Sequence, residues 1–83
     1  MQDIALLLQD CLELWECGGQ VQADGDGLAL TTEAGRFTLH PAPAPLRWRI
    51  GTPARRAAGR GPRAAASIGA ALLVLRAAME DRR

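Results

Sequence analysis

The chain has 83 residues, 48% of them hydrophobic, and a formal net charge of +1, which describes one small domain with a modest core. Its two cysteines, Cys11 and Cys17, exclude a secreted disulfide scaffold and fit no zinc spacing. No apolar run approaches the roughly 20 residues that cross a bilayer, and Asp3 stands where a signal peptide carries Lys or Arg, so a cytoplasmic location is expected.

Residues 2–16 predict an amphipathic helix. Ile4, Leu7, Leu8, Cys11, Leu14 and Trp15 recur at three- and four-residue steps and form its apolar face, with Asp3 at the positive end of the dipole. Gly18-Gly19 supplies the stop. Residues 20–24 and 27–32 alternate, with Val21, Ala23, Leu28 and Leu30 on one side. The Asp24-Gly25-Asp26-Gly27 run between them predicts a hairpin. Glu33-Ala34-Gly35 is a second turn, followed by a strand over 36–40 with Phe37 and Leu39 inward. The proline-rich run 41–45 is a stiff connector. Residues 46–50 then set Leu46, Trp48 and Ile50 against Arg47 and Arg49. Residues 51–61 read as a loop rich in Gly, Arg and Ala. A last helix, starting at Pro62 or capped by Ser67, runs to about Asp81, with Ile68, Leu72, Leu75 and Met79 as its stripe.

The fold class that follows is α+β over residues 1–83. A helix, a four-stranded mostly antiparallel sheet and a second helix form a two-layer sandwich, with both helices on one face. Residues 6–32, a Leu-rich helix running through glycine into a hairpin with a Gly-Asp turn, resemble the N-terminal docking domains of modular peptide synthetases. The likeness covers a third of the chain, and the Arg-rich second half departs from it, so no family is assigned.

Chemistry is sparse. His40 is the one histidine and Ser67 the one serine. By strand alternation His40 falls on the polar face, away from Cys11, so no nucleophile and base are brought together. Asp24 and Asp26 sit at a hairpin tip and lack the further ligands of a calcium loop. Trp15 and Trp48 share apolar stripes, which leaves no aromatic for base stacking. Arginine is the remaining signal. Seven acids and no Arg precede Gly35, whereas ten Arg and two acids follow it, and Lys is absent. Arg47 and Arg49 are expected on the open face of the sheet, with Arg36 beside them. Arg55, Arg56, Arg60 and Arg63 crowd the loop that leads into the last helix. Leu73 and Val74 widen that helix's apolar surface beyond what one sheet face covers.

The sequence therefore predicts a non-enzymatic protein-interaction or adaptor domain with no cofactor or metal. Its expected partner is itself, as a homodimer, or another protein, and no membrane. The alternative is an anion or nucleic-acid binder through Arg47, Arg49, Arg55, Arg56, Arg60 and Arg63. Nucleic acid is the less favoured ligand, given the near-neutral charge and the missing stacking residue.

Overall fold

A computed structural model describes residues 2–80 and has the expected α+β class. The order is α1 (Gln2–Leu14), β1 (Gly19–Asp24), β2 (Gly27–Thr32), β3 (Gly35–Pro41), β4 (Trp48–Gly51), α2 (Pro53–Ala57), β5 (Arg63–Ala65) and α3 (Ile68–Glu80). The strands form one antiparallel meander in the order β1-β2-β3-β4-β5. The sheet thus has five strands rather than four. The extra one, β5, lies between the two expected helix starts, Pro62 and Ser67, and runs beside β4.

Both hairpins form where the turn residues put them. Asp24 pairs with Gly27, and Gly25 takes φ 61° as the first central residue, which suits a tight two-residue turn. In the second, Thr32 pairs with Gly35, and the Thr32 hydroxyl accepts from the Ala34 N–H at 3.1 Å. The strand expected over 46–50 begins only at Trp48, because Arg47 has φ 61° and interrupts the alternation. Leu46 is consequently exposed instead of sharing a face with Trp48.

The core lies on one side of the sheet. Leu28, Leu30, Phe37, Leu39 and Ile50 meet Leu8 and Leu12 of α1 and Ala71, Leu75 and Met79 of α3, so both helices cover the same face. Helix α1 packs on β1, and α3 on β4 and β5. Trp48, Ile68 and Leu72 are half-buried against this cluster. The face expected for α1 is rotated: Leu12 is buried, whereas Leu7 and Leu14 are exposed.

Helix ends follow hydrogen bonds. The Cys17 N–H donates to the Leu12 carbonyl at 2.9 Å, and the Glu16 N–H to that of Glu13 at 3.1 Å. Glu16 is the left-handed residue, φ 57°, so the turn out of the helix comes two residues before Gly18 and α1 ends at Leu14. At the other helix, the Ser67 hydroxyl accepts from the Ala70 N–H at 3.1 Å, which selects Ser67 over Pro62 as the start. The expected end at Asp81 lies outside the described residues. The short α2 is capped in the same way: the Thr52 hydroxyl accepts from the Arg55 N–H at 3.2 Å, and Pro53 follows.

Candidate functional surfaces

The six arginines grouped by the sequence do not form one site. Sheet alternation places Arg49 on the uncovered face, together with Arg36, Thr38 and His40. Arg56 joins them from α2: its guanidinium donates to the Arg36 carbonyl and lies 3.5 Å from where a Cβ on Gly51 would stand. Arg49 donates to the Pro41 carbonyl at 3.3 Å. Arg55 and Arg63 instead line a cleft on the helical side, beside α3. Arg60 is exposed in the loop between α2 and β5, and Arg47 sits in the turn before β4.

The uncovered face carries a cluster that sequence reasoning missed. His40 Nε2 lies 3.1 Å from the Asp24 carbonyl and 3.3 Å from Asp24 Oδ2. Both oxygens accept, so Nε2 carries the proton that bridges them. Arg36 Nη2 stands 3.5 Å from the same Oδ2. Asp24 is therefore half-buried between a guanidinium and an imidazole, not an exposed tip residue. The arrangement depends on Gly27. The imidazole of His40 crosses β2 directly over that residue, and a Cβ there would collide with the Leu39 carbonyl and the His40 ring.

The acids of α1 lie on the opposite layer. Asp3, Asp10, Glu13 and Glu16 are all exposed along α1 and its end. Apolar side chains are exposed beside them. Leu6 is 61% exposed, Leu7 39% and Leu14 79%, and Leu73 on α3 is 70%. Among the described residues, four of the five exposed large apolar side chains thus belong to the helical layer; the fifth is Leu46. Where α1 ends against α3, a cleft of about 280 Å³ is lined by Leu14, Trp15, Cys17, Arg76 and Met79.

Cys11 and Ser67 both sit in structural surroundings. The Cys11 thiol is half-buried, and burial, then the neighbouring Asp10 carboxylate, raise its pKa above the ordinary value. That shift makes it a poorer nucleophile. The Ser67 hydroxyl is engaged as a helix cap. Among the described residues no group of three His, Cys, Asp or Glu could hold a metal ion, and no helix is long and apolar enough to cross a membrane. The chain matches no known family model, no curated protein and no solved structure.

Proposed function

We propose that the chain is a non-catalytic protein-interaction domain that self-associates through its helical layer. The observation that carries this reading is the exposure of Leu6, Leu7, Leu14 and Leu73 on α1 and α3. One exposed leucine is ordinary. Four in one layer of a domain this small favour a covered surface over a solvated one. A two-fold arrangement is the simplest that covers the same patch on both copies.

Charge favours one geometry over another. Pairing α1 on its own symmetry mate sets Asp3, Asp10, Glu13 and Glu16 of the two copies side by side. Pairing α1 with α3 of the second copy avoids this repulsion, because α3 carries Arg76 as well as Glu80. Sedimentation velocity over a range of protein concentrations tests the reading. The wild type is expected to shift from monomer to dimer, and Leu14→Glu with Leu73→Glu to remain monomeric with an unchanged circular dichroism spectrum. A wild type that stays monomeric at every concentration overturns it.

A further inference from the structure

We infer that the cleft beside α3 is a binding site for a carboxylate carried on an apolar chain. The cleft measures about 300 Å³, at the lower end for small-ligand sites. Phe37 from β3 and Val74, Ala77 and Ala78 from α3 supply its apolar wall. Arg55 and Arg63 are the charged residues on it, and no carboxylate is among the described residues that line it. Elsewhere Arg36 and Arg76 each sit against an acid, Asp24 and Glu80, while Arg49 and Arg56 donate to backbone carbonyls on the uncovered face, away from any apolar wall.

Local structure orients the first of these cations. Thr52 caps α2 and fixes the backbone of Arg55. The Arg55 Nε–H then donates to the Gly61 carbonyl at 2.6 Å. That bond holds the side chain along the loop into β5 and leaves the four N–H donors of the two terminal amino groups for a ligand. Arg55 is half-buried, unlike the exposed Arg47, Arg49, Arg56, Arg60 and Arg63. Arg63 is carried by β5, opposite Ile50, on the helix-facing side of the sheet. A planar carboxylate matches the guanidinium fork, and an apolar chain behind it matches the alanine and valine wall. A strongly hydrated inorganic anion would leave that wall uncovered.

Two sources supply this chemistry: a free aliphatic acid, and the C-terminus of a polypeptide ending in an apolar residue. The site lies within one protomer, so it stands or falls separately from self-association. Nuclear magnetic resonance titration tests it, with octanoate, octanol, N-acetyl-leucyl-leucine and the carboxamide of that dipeptide as probes. Either acid or both are expected to shift the Val74 methyl and Phe37 ring signals. Octanol and the carboxamide should bind about tenfold more weakly, the equivalent of one lost charge-assisted hydrogen bond. Octanoate acting alone assigns a free acid, and the dipeptide acting alone assigns a chain terminus. Arg63→Gln should weaken acid binding by about the same factor, while Arg49→Gln, on the other face, leaves it unchanged. Should Arg63→Gln fail to fold, added salt makes the comparison on the wild type, weakening the acids but not octanol. Equal binding of acid and carboxamide, no effect of both Arg63→Gln and salt, or no shift at Val74 overturns the inference.

Discussion

At the scale of single residues, Glu16 occupies a position that its side chain does not favour. Its φ of 57° is the left-handed conformation, where a Cβ costs roughly 1–2 kcal/mol and glycine costs little. It also places a carboxylate at the negative end of α1, where the dipole repels it. Both effects have the same sign. Glu16→Gly is expected to stabilise the domain by about 1 kcal/mol, read from urea denaturation; a loss of stability would show that Glu16 makes a compensating contact. Cys11 gives a second residue-scale test. Its thiol pKa is raised in the folded chain, so the folded state holds this proton more tightly than the unfolded state does. That contribution is fully present below the unfolded pKa and is lost as pH rises through the folded one. Alkylation of Cys11 by iodoacetamide at mildly alkaline pH should accordingly be slower than that of an unstructured cysteine peptide, and Cys11→Ala should flatten the alkaline loss of stability. Alkylation at the peptide's rate would contradict the burial of the thiol.

At the scale of elements, α1 separates what periodicity can settle from what it cannot. Leu6, Leu7, Leu8, Leu12 and Leu14 surround much of the helix, so two apolar stripes fit the sequence almost equally well. Packing against β1 chooses Leu8 and Leu12 and turns Leu7 and Leu14 to the surface. Leu12→Ala is therefore expected to cost about 2–5 kcal/mol, whereas Leu14→Gln should leave the stability of the monomer nearly unchanged. Thermal melts of the two variants, at concentrations low enough to keep the chain monomeric, check the assignment; the reverse order would restore the other stripe. The strands were more legible, because turns at Gly25 and Gly35 fix the register of β1 to β3. Arg63-Ala64-Ala65 carries no alternation or β-branched residue, so β5 forms only because β4 offers it an edge. The Thr52-Pro53 pair was a readable helix start inside the expected loop. The His40–Asp24 contact was not readable, since it spans 16 residues and depends on Gly27 lying between two paired strands. Likewise, the arginines near residue 55 are adjacent in sequence but divide between the two faces, because Arg55 and Arg56 leave a short helix in different directions.

At the scale of the whole molecule, the charge split along the sequence becomes in part a split between layers, with Asp24 on the uncovered face and Arg55, Arg63 and Arg76 on the helical side as exceptions. The acids of α1 lie on the helical side, and Arg36, Arg49 and Arg56 on the uncovered side of the sheet. Such polarity orients an encounter more than it stabilises a complex, because exposed ion pairs each contribute 1 kcal/mol or less, by a rough estimate. Stabilisation of a dimer must come from the apolar side chains on the helices. A small domain has much to gain from covering them, since a chain of this length buries only about two thirds of its unfolded surface by itself. Self-association linked to folding then has a thermodynamic signature that does not depend on knowing the interface. Each tenfold rise in protein concentration favours the dimer by about 1.4 kcal/mol, shared between two chains. For domains of this size, 1 kcal/mol per chain moves the melting temperature by roughly 4–8 °C. Calorimetry is thus expected to find a melting temperature that climbs by about 3–6 °C per tenfold concentration. Leu14→Glu with Leu73→Glu should abolish that slope while leaving the melting temperature at high dilution near that of the wild type. A slope retained in the double variant would move the interface away from these helices, to the exposed edge of β1 or the arginine face. A flat wild-type profile would mean that the leucines on α1 and α3 stay solvated in the isolated protein and await a partner other than a second copy.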